Sequence, residues 1–190
     1  MQLDDPQVRE VMRAVRRADF LPEPQLAFTD EDRALPIGHG QTCSQPTTVR
    51  HLLSLLEVDR GHRALDVGSG SGWSTALLAA LVGPHGSVHA VELIEDLLDR
   101  SRSSLAPYAM PWATVDLAQP GVLGLPAHAP YDRILVSAEA EVLPETLVDQ
   151  LTTTGRMVVP VAGRLCVVQR RGAQPAQVRR VGAYRFVPLR

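Results

Sequence analysis

The chain has 190 residues, 45% of them apolar and 21% charged, with a formal net charge of -2. These values exclude a disordered tail and a disulfide-stapled miniprotein, and leave a globular domain with a sizeable core. The near-neutral balance gives no reason to expect a nucleic-acid partner. All 19 basic residues are arginine, scattered along the sequence, and no binding surface is read into them.

Cys43 and Cys166 lie far apart and form neither a metal spacing nor a disulfide framework, so no metal is expected. Asp4 and Asp5 come too early for a secretory signal. No apolar run approaches the ~20 residues needed to span a bilayer. The expectation is a cytoplasmic protein with no membrane partner.

Val8, Val11, Met12 and Val15 recur at helical spacing and predict a helix over residues 7–19. Pro22 and Pro24 end it and start an extended linker. Residues 34–45, rich in Gly, Pro, Gln, Thr and Ser, read as a long structured loop. Thr42 or Ser44 could cap the helix that follows, Pro46–Leu56. Alternation then sets in, with a strand at Ala64–Val67, a helix at Gly72–Leu81, a strand at Ser87–Val91 and a helix at Ile94–Leu105. Next come a strand at Tyr131–Ser137 and a short helix at Pro144–Leu151. Strands at Arg156–Val161, Leu165–Arg170 and near Tyr184–Leu189 finish the chain.

Early βαβ units require parallel strands with right-handed crossovers, and the closely spaced last strands predict an antiparallel C-terminal edge. The expected fold is α/β, a doubly wound and mostly parallel Rossmann-like sheet with helices on both faces and an N-terminal helical cap. One domain is expected. Residues 1–60 would be the cap and substrate loop, laid over the strands' C-terminal ends, and residues 61–190 the cofactor-binding core.

The segment from Ala64 to Glu92 carries most of the functional signal. A buried strand ending in Asp66 and Val67 runs into Gly68-Ser69-Gly70-Ser71-Gly72, then a helix, then a strand closed by Glu92. A terminal acid suits ribose hydroxyls, and glycines let a ligand approach the backbone. A dinucleotide fingerprint needs G-x-G-x-x-G, but here the glycines alternate and Trp73 holds the last glycine's place. The spacing fits S-adenosylmethionine, which has an amino-acid tail and no phosphate. Asp66, Gly68, Ser69, Gly70, Ser71, Gly72 and Glu92 are the candidate cofactor residues.

The loop L-P-I-G-H-G-Q-T-C-S-Q-P, residues 35–46, resembles the signature loop of the protein-L-isoaspartate O-methyltransferases. L-D-V-G-S-G-S-G-W is similar to that family's cofactor loop, A-P-Y-D-R-I-L-V-S-A to its fourth-strand block, and G-R-M-V-V-P-V with R-F-V-P-L to its closing strands. V-M-R-A-V-R-R-A-D-F-L-P near the start resembles its opening helix. The likeness runs from about residue 7 to 189. It implies a class I methyltransferase that moves a methyl group from S-adenosylmethionine to the carboxylate of an isoaspartyl residue in a damaged protein or peptide. The ester re-forms a succinimide and so initiates repair. The resemblance also implies Ser44 as the catalytic residue, with Thr42, Cys43 and Gln45 along the methionine end of the cofactor and Gly121 near its adenine. Ser44, Ser137 and Ala138 would face the acceptor.

The residue types suit that chemistry. A carboxylate has a pKa near ~4, is ionised at neutral pH and needs no general base. A neutral hydroxyl can steady it without over-stabilising the reactant charge. His39 is therefore not required as a base, no G-x-S-x-G elbow surrounds Ser44, and Cys43 reads as packing. Two positions depart from the family pattern. Gln119-Pro120-Gly121 occupies the family's G-D-G slot, where the Asp receives the adenine amino group, so that contact is missing unless Asp116 or Gln119 substitutes. Glu139 stands in the family's T-A-A block. These changes leave two alternatives, a related carboxyl methyltransferase with another acceptor such as a modified peptide, and a non-catalytic homologue. A monomer is expected.

Overall fold

The computed structural model describes residues 4–190. Helix α1 (Pro6–Ala14) opens on Asp5, whose side chain accepts the Gln7 N–H at 2.8 Å, and on Pro6 in the first turn. The predicted helix to residue 19 breaks earlier. Val15 turns extended, its carbonyl accepts the Trp73 indole N–H at 3.2 Å, and a 3-10 turn at Arg17–Phe20 buries Arg17 and Phe20. A second 3-10 turn covers Glu23–Phe28. The supposed loop that follows is a hairpin, β1 (Leu35–Gly38) antiparallel to β2 (Gln41–Cys43). Its turn places Gly38, His39 and Gly40 at φ +102°, +53° and +71°, a conformation two glycines make accessible.

The chain continues through α2 (Pro46–Leu56), β3 (Arg63–Val67), α3 (Trp73–Val82), β4 (Ser87–Glu92), α4 (Glu95–Leu105), β5 (Ala113–Leu117) and β6 (Tyr131–Val136). It ends with α5 (Glu145–Val148), β7 (Leu151–Val161), β8 (Arg164–Arg171) and β9 (Gln174–Ala183). Neither Thr42 nor Ser44 caps α2. Asp32 does, accepting the Thr47 N–H at 2.8 Å.

The sheet order is β5-β4-β3-β6-β7-β8-β9. Strands β3 to β7 run parallel, and β8 and β9 add the expected antiparallel edge. The sequence reading missed β5 and β9. Only Val115 of β5 is buried, and β9 is exposed almost throughout, so neither shows an apolar pattern. The strand expected near Tyr184–Leu189 is instead an irregular return. Pro188 forms a single bridge to Glu139, bounded by Glu139 N–H to Val187 O at 2.7 Å and Leu189 N–H to Glu139 O at 2.8 Å. That return brings residues 187–190 back across the end of β6.

The alternating strand residues feed two cores. Ala64, Val88, Leu135 and Val158 pack against apolar residues of α1, α2 and α3. Leu65, Val67, Ile134 and Met157 pack against Leu147 and Val148 of α5 on the other face. Helix α2 thus belongs to the sheet's helix layer, and the lid proper is the stretch before it. The strand order reverses at β3, which opens a crevice at the C-terminal ends of β3, β4 and β6. Among the described residues no helix is long and apolar enough to cross a membrane.

Candidate active site

The crevice holds a cavity of about 750 Å³, within the roughly 300–1,000 Å³ common for small-molecule sites. Its floor is the turn between β3 and α3. Gly68, Gly70 and Gly72 adopt φ +79°, +57° and +95°, where a side chain would be strained. Space is also short. A Cβ on Gly70 would stand 3.2 Å from Ile37 Cδ1 of the lid, and one on Gly72 would stand 2.5 Å from Ser101 Oγ of α4. The hairpin therefore lies directly over the turn.

Glu92 ends β4 in the cavity wall. Its Oε2 accepts the Gly70 N–H at 2.7 Å, and its Oε1 accepts those of Leu93 and Ile94 at 2.9 and 3.0 Å. The carboxylate locks the turn to the strand beside it. A carboxylate has about four acceptor sites, so Glu92 retains capacity for a ligand hydroxyl. Ser69 Oγ, also in the wall, is buried and has no hydrogen-bond partner among the described residues.

Asp66 requires a correction, because it does not line the cavity. It is 0% exposed beneath the turn, and its Oδ2 accepts the hydroxyls of Ser74 and Thr75 at 2.7 Å each. Burial pushes its pKa up to about 6 against those two donors, and the charge of Glu92 adds to the rise. Its role in this geometry is to hold the first turn of α3.

The lid contributes Ile37, His39, Gln41, Thr42, Cys43 and Ser44 to the wall. Gln45 is a second correction. It lies outside the wall, and its Nε2 donates to the Asp32 carbonyl and carboxylate at 2.9 and 3.0 Å. Cys43 is buried, and burial pushes its thiol pKa up against the pull of Arg17, so it packs and does not attack. His39 meets Asp96 of α4 at 3.0 Å, which ties the hairpin tip to that helix.

Sequence reasoning missed Arg17. Its guanidinium, 5% exposed, donates to the carbonyls of Thr29, Glu31, Arg33, Cys43 and Ser44 at 2.7–3.3 Å and lies 5.7 Å from the Trp73 ring centroid. No local pattern marks an arginine whose acceptors are carbonyls 12 to 27 residues away. It gathers the linker and the lid and sets the backbone on which Ser44 sits.

Ser137 and Ala138, beyond β6, line the same cavity as Ser44, and Ser137 N–H donates to Val67 O at 2.9 Å. Glu139 is absent from the wall, because its backbone is pinned by Val187 and Leu189. Glu141 supplies a wall carboxylate in its place, beside Val142 and Pro144, and residues 187–190 complete that side. Gln119, Pro120 and Gly121 also line the cavity. Asp116, the possible substitute acceptor, stays outside the wall and sits 3.9 Å from Arg102.

Around the glycine turn the wall offers backbone N–H groups, hydroxyls and the anchored carboxylate of Glu92, and Glu141 and Arg190 also line it. It fits a nucleoside joined to an amino acid. A Rossmann-like sheet with that chamber over its switch point defines a class I S-adenosylmethionine-dependent methyltransferase. Comparison with known proteins narrows the class. The model of the protein-L-isoaspartate(D-aspartate) O-methyltransferase family matches residues 2–190, and the chain belongs to that family.

A protein-L-isoaspartate O-methyltransferase of Aeropyrum pernix is 42% identical over 96% of this chain and 72% of its own length. One of Methanopyrus kandleri is 41% identical over 96% and 82%. A solved protein-L-isoaspartate O-methyltransferase superposes with a TM-score of 0.88 at 23% identity, over 97% of this chain and 61% of its own, which supports the fold. A Plasmodium falciparum structure described as a putative member, in complex with S-adenosyl-L-homocysteine, gives a TM-score of 0.83 at 25% identity, over 98% and 91%.

Proposed function

We propose that this enzyme methylates the side-chain carboxylate of L-isoaspartyl residues in damaged polypeptides and thereby initiates their repair through succinimide. The observation that supports this most directly is the shared chamber, whose wall holds Ser44 of the lid together with Ser137, Ala138 and the glycine turn. Bound S-adenosylmethionine supplies an activated methyl group.

The protein's own residues then have three tasks. Gly68, Ser69, Gly70, Ser71 and Gly72 would hold the donor's amino-acid portion, Glu92 would take the ribose hydroxyls, Gly121 would border the adenine, and Thr42 and Cys43 would close over the methionine end. Ser44 Oγ donates one hydrogen bond to the acceptor carboxylate, already ionised at neutral pH, and Ser137 and Ala138 set its approach. The lid, pressed on Gly70 through Ile37, excludes water. Alignment of this kind can be worth several kcal/mol, on the order of 7–11 at best. A hydroxyl suits the task better than a cation, because charge is neutralised as the methyl group moves.

The reading includes a monomer acting in the cytoplasm, with no nucleic-acid partner. It is tested by methyl transfer to an isoaspartyl peptide and to its aspartyl twin. Transfer to the isoaspartyl peptide alone is expected, and equal transfer to both, or to neither, defeats the assignment.

A further inference from the structure

The arginines are scattered in sequence, but their charge is not balanced locally. Residues 150–190 hold 8 of the 19 arginines and no Asp or Glu. The remaining 149 residues therefore carry 11 basic against 21 acidic groups, a net of -10 beside +8. The fold gathers the basic stretch into β7, β8, β9 and the return to the cavity. Arg156 and Arg170 are committed within the fold, the first to Glu57 and to Leu55 O, the second to Leu151 O. Arg164, Arg171, Arg180 and Arg185 are exposed.

Three features converge on a use for this charge. Strand β9 ends the sheet, so among the described residues its outer edge pairs with no strand and can take an extended chain. The edge is continuous with the site, since Ala183 leads through Tyr184–Phe186 into wall residues Val187–Leu189. That connection spans at most about 13 Å at ~3.3 Å per residue. Arginines do protect an edge against aggregation, but protection does not call for the absence of every carboxylate over 41 residues, nor for Arg164 and Arg185 outside β9.

We infer that the β9 edge and the arginines around it form a docking surface for an acidic, extended segment of the methyl-accepting polypeptide. This rests on the isoaspartyl reading above and adds a substrate preference to it. The acids sit about four to eight residues from the isoaspartyl group, the distance set by the return from β9 to the cavity.

Three isoaspartyl peptides test the inference at low salt. One has neutral flanks, one carries four glutamates starting five residues before the isoaspartyl group, and one carries them starting five residues after it. One acidic peptide should show a KM about fivefold below that of the neutral peptide with kcat unchanged, a gain that vanishes near 0.5 M salt. The triple variant Arg164→Gln/Arg180→Gln/Arg185→Gln should abolish the gain and keep the neutral peptide's KM, with S-adenosylhomocysteine affinity confirming an intact fold. Equal KM for all three peptides, or a gain that survives in the triple variant, overturns the docking surface alone. Failure to methylate even the neutral peptide overturns the isoaspartyl reading, and the docking surface with it. A single-stranded oligonucleotide that binds wild type and not the triple variant, with peptide KM values equal, assigns the edge to nucleic acid and also overturns it.

Discussion

Replacing Asp66 with Asn separates a structural carboxylate from a ligand-binding one. The wild-type group is wholly buried, with Oδ2 held by two hydroxyls, Oδ1 unpartnered and a pKa of about 6. An unfolded Asp titrates near ~3.9, so the folded state holds the proton more tightly. Its stability contribution is therefore fully present below pH ~4 and lost as pH rises through about 6. A shift of about two units corresponds to roughly 3 kcal/mol, of which about 2 kcal/mol falls between pH 4.5 and 7.5.

Asn stays neutral throughout and carries no such loss. The assay is urea unfolding of both proteins across that range. Subtracting the variant's stability from that of the wild type cancels all other titrating groups and any constant hydrogen-bond difference. The difference should fall by about 2 kcal/mol from pH 4.5 to 7.5. Parallel profiles, or a difference that grows with pH, would refute the reasoning.

Three further outcomes are expected. Ser44→Ala should lower turnover on an isoaspartyl peptide roughly 10- to 100-fold, the range for one hydrogen bond to a charged group, with S-adenosylhomocysteine affinity by calorimetry within about twofold. Equal loss of both would remove Ser44 from the acceptor side. Arg17→Lys should cost about 2–4 kcal/mol in unfolding free energy and reduce turnover, because three ammonium donors cannot serve five carbonyls. Unchanged turnover would show that the lid does not depend on it. Pro120→Asp should tighten S-adenosylhomocysteine binding about tenfold by supplying an acceptor for the adenine amino group, and no gain in calorimetry would rule out that wall as the adenine's edge.

The sheet's centre was readable because each central element has a strong local signature. Leu65 and Val67 in β3 make a short apolar run, and Gly68, Gly70 and Gly72 can hold positive φ where other residues cannot. Glu92 was legible as a cavity acid because it closes a strand two elements later. The edges were not readable. Strand β5 buries one residue and β9 shows no alternation, so no apolar period survives in either. Asp66 and Gln45 were misplaced for another reason. Adjacency to a binding motif does not tell which way a side chain turns, and Ser74, Thr75 and Asp32 drew these two away from the cavity.

By itself, the sequence determined the α/β class, the glycine turn, its acid partner and the family to which the loop at residues 35–46 belongs. The first three rest on backbone conformation and periodicity, which are local properties, and the family on the resemblance that the loop's residues carry. Tertiary structure alone decided that Arg17 organises the lid, that Glu141 and not Glu139 enters the wall, and that residues 187–190 return to close the cavity. Each depends on contacts between segments tens of residues apart, and the free energy of such contacts leaves no mark on the neighbouring sequence.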